Sequence, residues 1–381
     1  MKRLLFSLSY YAPHLSGLTI AVQRVAQSLA AKSYSISVLT TQLQHSLPQT
    51  ETIDNVHITR VPFLFKVSKG FFMPSLLARA IAALTKTEVV VIVLPQFEGV
   101  LIALLAKLLR KKIVVWYVCE VTLPASPLAR CVEFCLRLSH HLTLSLADEV
   151  LSLTTDFATH TPLLQDRKNV YGIAPLIVAP SVSEKANQSL RKRIPHKKYT
   201  IGFLGRIAHE KGITYLLKTI PLLTQSLGDE FIIVLAGSVA VGEDRYAAEV
   251  DALLQQYSHH IISLGKISEE EKGAFYQLLD VFVLPSINNT EAFGMVQVEA
   301  MLCGTPVVAT NLPGVRVPVQ ETGMGVVVSS MDSKALSAGI VTILNKKSDY
   351  QKEQKKVAAV FDTEKLLRSY ERVFFASGKT T

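Results

Sequence analysis

Short apolar runs alternate with longer amphipathic segments along the first half of the chain. The segment TIAVQRVAQSLAAKS (19–33) repeats apolar residues at helical spacing, and FEGVLIALLAKLLRKK (97–112) ends in basic residues, as suits a helix C-terminus. This alternation is typical of a parallel sheet covered by helices. Between the helices, runs rich in β-branched residues predict strands at 3–9, 35–41, 88–94, 112–118 and 148–153.

The pattern breaks and then restarts in the middle of the chain. Residues 174–198 are rich in Pro, Ser and Lys without periodicity, which indicates a linker, and the strand-like runs YTIGFLG, FIIVLAG, IISLG and DVFVLP follow it. The sequence thus predicts an α/β fold of two doubly wound, Rossmann-like domains facing each other across a cleft. The expected parts are an N-terminal domain (1–180), a linker (181–198), a C-terminal domain (199–360) and a final helix (361–381) that packs on either domain, the N-terminal one included.

Composition narrows the class of protein. The 381 residues are 49% hydrophobic and 19% charged, which excludes a disordered chain and allows a large core. No apolar run reaches the roughly 20 residues of a membrane helix, and MKRLLFSLSYYAP predicts a first strand because it lacks a small-residue cleavage site. The cysteines lack metal-site spacing, so buried thiols in a reducing cytoplasm are expected for Cys119, Cys131, Cys135 and Cys303.

The net charge of +9 belongs mostly to the first half of the chain. Residues 1–190 carry 18 basic and 11 acidic side chains, and the rest of the chain carries 22 and 20. This asymmetry favours an anionic partner there, either a phosphate-bearing substrate or an anionic membrane surface, while the absence of a nucleic-acid-binding motif argues against nucleic acid. Within residues 61–84, aromatic residues mix with Lys66, Lys69 and Arg79. Two interpretations stay open, a membrane-contacting surface and core aromatics beside solvated lysines.

The loops that follow strands carry the candidate chemistry, because ligands of open parallel sheets bind beyond the carboxyl ends of the strands. The run RIAHEKG after the strand TIGFLG places Arg206 and Lys211 where they can hold a diphosphate and stabilise its developing charge. A solvated basic helix start is the alternative. The order Gly-Arg directly after a strand, with Lys-Gly five residues later, favours the phosphate site.

The loop after DVFVLP leads into a helix that begins MVQVEAMLC. Gly294 allows close approach of backbone to a ligand, and the free N–H groups of the helix start suit phosphate or sugar oxygens. Glu291 precedes this helix and Glu299 lies in its second turn among apolar residues, so each carboxylate needs hydrogen-bond donors. Polyol hydroxyls are one source of donors, and buried backbone or a neighbouring cation is the other.

The first predicted strand leads into Ser16 and Gly17, whose backbone N–H groups before a helix suit a diphosphate. Many strand-to-helix loops contain such a pair, so this signal is weak. The sequence contains neither G-x-G-x-x-G nor G-x-x-x-x-G-K-[ST]. A nicotinamide-dependent enzyme and a P-loop ATPase are therefore disfavoured.

Three motifs together resemble a known family. GRIAHEKG, EAFGMVQVEAMLCGTPVVAT and PGVRVPVQETGMGVVV are similar to the C-terminal signature of the retaining glycosyltransferases of family GT4, which have the GT-B fold. The resemblance implies that Glu291 contacts the donor sugar, that Glu299 holds the ribose, and that Arg206 with Lys211 binds the diphosphate. It also implies that backbone at four further positions cradles the sugar and phosphate, namely Phe293, Gly294, Met295 and Val296.

The chain departs from the family pattern at two points. Ser16-Gly17 stands where the family has Gly-Gly, and Val118 stands where many members have a histidine beside the donor sugar. Glu120 lies two residues beyond Val118 and is a candidate for the missing polar contact. The chemistry implied by the resemblance needs charge stabilisation more than a strong base, so the catalytic interpretation survives the loss of the histidine.

The sequence therefore predicts a metal-independent, retaining glycosyltransferase without a cofactor. Its donor would be a nucleoside diphosphate sugar, and its acceptor a hydroxyl of a glycan, a lipid-linked sugar or another small molecule. The expected location is the cytoplasm, with peripheral contact at the inner face of the membrane as an open alternative. Other functions left open are an epimerase or phosphorylase of the same fold and a non-catalytic subunit that binds nucleotide sugars.

Overall fold

The computed structural model describes residues 2–67, 70–122 and 127–375. The chain forms two compact units, an N-terminal unit of Met1–Leu176 with Thr363–Thr381 and a C-terminal unit of Ile177–Asp362. The last helix thus belongs to the N-terminal unit. Lys69, one of the basic residues named above, lies outside the described residues.

Sixteen strands are described. They are β1 (Arg3–Ser7), β2 (Ser35–Thr41), β3 (Thr50–Ile53), β4 (Val56–Val61), β5 (Phe65–Val67), β6 (Gly70–Phe72), β7 (Val89–Leu94), β8 (Lys112–Tyr117), β9 (Glu149–Ser152), β10 (Val170–Gly172), β11 (Tyr199–Leu204), β12 (Phe231–Ala236), β13 (Ile261–Gly265), β14 (Val281–Leu284), β15 (Val307–Thr310) and β16 (Gly325–Val328).

Sixteen α-helices are described, with one 3₁₀ turn at His209–Lys211. The helices are α1 (Gly17–Ala31), α2 (Leu76–Thr85), α3 (Gly99–Leu108), α4 (Pro127–Ser145), α5 (Thr155–His160), α6 (Glu184–Arg193), α7 (Ile213–Leu217), α8 (Ile220–Leu227), α9 (Asp244–Gln256), α10 (Glu269–Gln277), α11 (Met295–Leu302), α12 (Val317–Thr322), α13 (Ser333–Asn345), α14 (Lys347–Tyr350), α15 (Gln354–Val360) and α16 (Thr363–Phe375).

The N-terminal unit is built on an eight-stranded sheet in the order β10-β9-β8-β7-β1-β2-β4-β3. The strands pair in parallel except for the β3–β4 hairpin at one edge. Strand β7 has the sequence VVVIVL and is buried throughout, as expected for a central parallel strand that is covered on both faces. Helix α16 returns to this unit, where Phe374 packs edge-on against Phe6 of β1.

The C-terminal unit contains a six-stranded parallel sheet in the order β13-β12-β11-β14-β15-β16. Its central strands are apolar and buried, and they pack against helices such as α7 and α13 in one hydrophobic cluster. Helix α10 begins with a capping box between Ser268 and Glu271, which satisfies backbone N–H groups that would otherwise lack partners. The predicted α/β fold of two Rossmann-like units is confirmed.

Two local expectations need correction. The segment 181–198, expected to be an aperiodic linker, contains helix α6, which packs against α10. Cys131 and Cys135, expected to be buried thiols, are exposed on α4, because their helical spacing does not show which face of the helix turns inward. Cys119 and Cys303 are half-buried.

Of the aromatics in 61–84, Phe71 is buried while Phe65 and Phe72 are exposed on the β5–β6 hairpin. Among the described residues, none of the helices is long and apolar enough to cross a membrane.

Candidate functional site

The strand order of the C-terminal unit places two loops side by side. Strands β11 and β14 are neighbours, and the chain proceeds outward from them in opposite directions, so a ligand site is expected beyond their carboxyl ends. The backbone N–H of Ile287 in the loop after β14 donates to the carbonyl of Glu210 in the loop after β11, at 3.0 Å. A Cβ atom at Gly212 would lie 2.1 Å from the carbonyl oxygen of Pro285. The two loops are therefore in direct backbone contact.

Lys211 and Glu291 meet between these loops. The Lys211 Nζ atom lies 2.5 Å from Glu291 Oε2, and both side chains are largely buried. The backbone N–H of Gly294 donates to the other carboxylate oxygen, Glu291 Oε1, at 3.0 Å. Glu291 is thus held by a cation and by the backbone that precedes α11.

Arg206 lies on the same loop as Lys211 but makes a different contact. Its Nη2 atom donates to Glu210 Oε1 at 3.0 Å, and the guanidinium remains more than half exposed. The structure thus directs Lys211 to Glu291 and Arg206 to Glu210. Both cations lie on the loop that follows β11, as the sequence predicts.

Gly294 and the start of α11 follow Glu291, which lies in the loop after β14. Gly294 has φ of 75°, a left-handed conformation that disfavours other residues. A Cβ there would also lie 2.3 Å from Leu284 Cδ2. Met295 and Val296 begin the helix and are half-buried, whereas the side chain of Phe293 is buried against Phe361. The structure therefore places Phe293 in the core through its ring and leaves only its backbone for the predicted role.

Gln297 is a residue that sequence reasoning missed. It is fully buried, and its Nε2 donates to the carbonyls of Phe293 at 2.6 Å and Val315 at 2.9 Å. It thereby joins the loop before α11 to the loop before α12. A polar residue inside an apolar helix was the available signal, the same one that identified Glu299.

Glu299 is buried on α11 and has partners within the protein. The Tyr276 hydroxyl donates to Glu299 Oε2 at 3.1 Å, and Lys272 Nζ lies 3.8 Å from the same oxygen. Burial and then the charge of Glu299 raise the pKa of Tyr276, and the same two causes raise the pKa of the Cys303 thiol to about 12. Both glutamates thus satisfy their need for donors inside the chain, so burial alone does not require a polyol ligand.

Ser16 and Gly17 lie at the start of α1 in the N-terminal unit. The Ser16 Oγ accepts the backbone N–H of Thr19 at 3.2 Å, and Thr19 Oγ1 accepts the backbone N–H of Ser16 at 2.8 Å. The Ser16 side chain therefore caps the helix. Gly17 is the exposed first residue of α1, after the loop that follows β1.

Val118 and Glu120 follow β8 in the same unit. Val118 is buried, and its backbone N–H donates to the carbonyl of Leu94 at 3.1 Å, which extends the β7–β8 pairing by one residue. Glu120 is half-buried, and its charge adds to burial in raising the pKa of Tyr117. Val118 thus contributes packing, and Glu120 brings a carboxylate to the end of this strand.

Within residues 2–67, 70–122 and 127–375, no group of three or more His, Cys, Asp or Glu side chains is arranged to hold a metal ion.

The profile of the family described as "Glycosyl transferases group 1" matches residues 164–359, and that of "Glycosyl transferase 4-like domain" matches residues 16–164. The chain belongs to the glycosyl transferases group 1 family. The resemblance carried by the three motifs is confirmed at the level of the family.

Curated relatives match part of the chain. The chain is 34% identical over 147 residues to a phosphatidyl-myo-inositol mannosyltransferase of Mycobacterium leprae, covering 38% of this chain and 37% of that protein. It is 32% identical over 169 residues to a D-inositol 3-phosphate glycosyltransferase of Corynebacterium urealyticum, covering 43% and 39%. The chain is therefore matched to these relatives over about two fifths of their length.

Solved structures match nearly the entire chain. A sucrose-phosphate synthase from Thermosynechococcus elongatus superposes with a TM-score of 0.77 at 20% identity, covering 99% of this chain and 100% of that one. HepE from Anabaena, in complex with UDP, superposes with a TM-score of 0.76 at 17% identity, covering 98% and 99%. At such identities the likeness establishes the fold, which is GT-B.

Proposed function

We propose that the chain is a retaining glycosyltransferase that moves a sugar from a nucleoside diphosphate sugar to an acceptor hydroxyl. The observation that carries the proposal is the Lys211–Glu291 pair at the meeting of the β11 and β14 loops, within the region that the family profile matches. Gly294 fixes the turn that aims the start of α11 at the same place. These are a cation, a carboxylate and helix N–H groups at the predicted ligand edge of a doubly wound sheet.

In this proposal each site residue of the C-terminal unit has a separate role. Lys211 and Arg206 face the donor diphosphate, the backbone of Met295 and Val296 donates to its oxygens, Glu291 orients the sugar, and Glu299 holds the ribose. As the bond between the anomeric carbon and the diphosphate oxygen breaks, negative charge grows on the diphosphate and the two cations stabilise it. The acceptor oxygen bonds to the same face of the anomeric carbon, and its proton passes to the departing diphosphate.

The N-terminal unit contributes the remaining candidates. We assign Gly17 backbone and the adjoining Ser16 to the diphosphate, and Glu120 to a polar contact near the sugar in place of the histidine that Val118 replaces. The two cations and the helix start supply the positive charge, so the proposal requires no metal ion and no further cofactor.

The acceptor class is a glycan, a lipid-linked sugar or another small hydroxyl compound. HepE is described in complex with UDP and glucose, and one relative is named for phosphatidyl-myo-inositol, so UDP-sugars and inositol lipids come first among the compounds to test. A lipid-linked acceptor would place the protein in the cytoplasm, in peripheral contact with the inner face of a membrane.

The test is a donor screen with the purified chain. UDP-, GDP-, ADP- and dTDP-sugars are compared by thermal stabilisation and by release of the nucleoside diphosphate, with and without EDTA and with membrane extract as a source of acceptors. A donor that stabilises and turns over, with the product keeping its anomeric configuration by NMR, is the expected result. Stabilisation without release would instead indicate a non-catalytic binding subunit, and EDTA-sensitive release would contradict metal independence.

Variants at the loop pair test the site itself. Glu291→Gln and Lys211→Ala are each expected to lower kcat/KM by about a hundredfold, the usual loss when one preorganised charge contact is removed. Lys218→Ala is the matched control, because Lys218 is an exposed lysine of the same unit that pairs only loosely with Glu249, at 3.6 Å. Full turnover by the Glu291→Gln variant would contradict the proposed site.

A further inference from the structure

Three neighbouring helices of the N-terminal unit expose large apolar side chains. Helix α3 adjoins both α2 and α4, and it also packs on β7 and β8 of the sheet. The three helices therefore form one layer, with one side on the sheet and the other side outward. We call the outward apolar residues of α2, α3 and α4 the apolar helix face.

Helix α3 is apolar on both of its sides. Ile102, Ala103 and Ala106 are buried toward the sheet. Leu101, Leu104 and Leu108, at spacings of three and four residues, form an exposed stripe, and Leu108 is 79% exposed. A helix that is hydrophobic all round is ordinarily covered on both sides.

Helix α4 buries polar as well as apolar side chains. It turns Ser139, His140 and Thr143 inward together with Leu136 and Leu144, and the Ser139 hydroxyl donates to the carbonyl of Phe97 at 2.8 Å. Its outward stripe has Phe134, which is 68% exposed, followed at intervals of four residues by Leu138 and Leu142. Exposing these apolar side chains while burying polar ones costs free energy, unless a partner covers the outward stripe.

Helix α2 extends the face on the far side of α3. Leu77 and Ile81, four residues apart, are both exposed, and the small residues Ala78 and Ala82 lie beside them. The described part of the C-terminal unit exposes large apolar side chains only singly or in short loops, such as Val239, Val241 and Met331. Among the described residues, the exposed apolar side chains thus gather mainly in the N-terminal unit, on this helix layer and on the β5–β6 hairpin with Leu64, Phe65 and Phe72.

The charges on these helices select the partner. Arg130 and Arg137 lie four residues before and three residues after Phe134, on the same side of α4, and Lys107 lies three residues after Leu104 on α3. All three are exposed, and the only acidic residue of the three helices is Glu133. Lys107 also lies 3.8 Å from Asp148, outside these helices, so Arg130 and Arg137 carry the argument. A second copy of this chain would present the same excess of basic side chains, so two such faces would not complement each other in charge. A surface of anionic lipid headgroups complements them.

We propose that the apolar helix face docks on an anionic lipid bilayer. Phe134, Leu138 and Leu104 enter the boundary between headgroups and acyl chains, and Arg130 and Arg137 contact lipid phosphates. The docking requires no sugar transfer, so its failure and the failure of the proposed function are separate results. If both hold, the docked face brings the enzyme to lipid-linked acceptors.

The test is flotation of the full chain with vesicles of phosphatidylcholine, with and without phosphatidylglycerol. We expect binding to the anionic vesicles, weakened by high salt because screening reduces the attraction to headgroups. The variant Leu104→Ser/Phe134→Ser/Leu138→Ser should bind about tenfold more weakly or worse, since each buried apolar group adds to membrane affinity. The matched control is Val241→Ser/Met331→Ser, which removes exposed apolar side chains from the C-terminal unit and should bind like the unaltered chain.

Three outcomes would overturn the proposal. The first is no binding to either vesicle, and the second is equal binding to neutral and anionic vesicles. The third is a dimer in sedimentation experiments that the triple variant converts to a monomer, because a second copy would then be the occupant. Thermal melting of each variant checks that its fold is retained, which we expect because all the replaced side chains are exposed. Arg130→Glu/Arg137→Glu should separately abolish the preference for phosphatidylglycerol.

Discussion

Glu291 and Glu299 show what single residues reveal in this sequence. A charged residue in an apolar run is visible without a structure, and for that reason the sequence marks both glutamates as candidates for the proposed site. Their partners could not be predicted. Lys272 and Tyr276 come from α10, and they reach Glu299 only because α10 packs beside α11.

His140 is a buried ionisable side chain with a consequence for stability. Its ring packs edge-on against Tyr117 with centroids 6.0 Å apart, and its Nε2 is buried without a partner among the described residues. Burial disfavours the charged imidazolium and lowers the pKa of His140 to about 4. The folded protein therefore holds this histidine neutral at pH values where an unfolded chain protonates it.

The N-terminal unit should lose stability on acidification because of His140. Between the unfolded pKa of about 6.5 and the folded pKa of about 4, the unfolded chain binds the extra proton, so stability falls as the pH falls. The loss from this group should reach about 2–3 kcal/mol by pH 4.5. Urea unfolding followed by the fluorescence of Trp116, the single tryptophan, measures it.

Two substitutions distinguish the contribution of His140 to this loss of stability from that of other titrating groups. His140→Phe removes the titration and keeps an aromatic ring, so its stability should fall less between pH 7 and pH 4.5. His141→Phe changes an exposed neighbour and should keep the original slope. Parallel curves for His140→Phe and the unaltered chain would show that His140 does not cause the acid sensitivity.

At the scale of elements, helix α11 has a glycine in the left-handed conformation at each end. Gly294 at its start has φ of 75°, and Gly304 beyond its end has φ of 88°. A Cβ at Gly294 would lie 2.3 Å from Leu284 Cδ2 and 2.9 Å from Gln297 Nε2, while a Cβ at Gly304 would meet nothing within 4 Å. A side chain at either position would strain the left-handed backbone, but only at Gly294 would its Cβ also collide with neighbouring atoms.

Gly294→Ala should weaken donor binding, because the added methyl group displaces the turn that positions Glu291 and the start of α11. We expect a loss of about tenfold in affinity for the donor found in the screen, measured by calorimetry. Gly304→Ala should cost only the strain of a left-handed alanine, about 1–2 kcal/mol of stability, and leave donor affinity unchanged. Equal losses of affinity in the two variants would contradict this role for the Gly294 turn.

The sequence predicts the buried apolar elements better than the polar, partly exposed ones. Strand β7 is uniformly apolar and β11 is mostly apolar, because both are covered on their two faces, so their pattern is strong and their positions were predicted correctly. The β3–β4 hairpin is a partly exposed edge with mixed polarity, and α6 is a polar helix that buries only Ala186 and Leu190. Periodicity is weak in such elements, because few of their residues face the core.

At the scale of the whole molecule, the N-terminal unit is discontinuous in sequence. Its sheet comes from the first 176 residues, and α16 adds the side chains that complete its core. Tyr370 is fully buried against Trp116 with ring centroids 5.2 Å apart, and its hydroxyl donates to the carbonyl of Ala174 at 3.2 Å. Lys112 Nζ donates to the carbonyl of Val373 at 2.7 Å. The polar contacts therefore fix the register of a helix that apolar burial holds in place.

The final helix should accordingly stabilise a unit from which it is remote in sequence. Phe374→Ala removes a fully buried ring that packs against Phe6 and Tyr370, and it should lower the free energy of unfolding of the N-terminal unit by about 3–5 kcal/mol. Trp116 lies in this unit and reports its unfolding in urea separately from the C-terminal unit, which has no tryptophan. Arg372→Ala, an exposed change two residues away, should shift stability by less than about 0.5 kcal/mol. If Phe374→Ala leaves the Trp116 transition in place, α16 does not contribute to the core of the N-terminal unit.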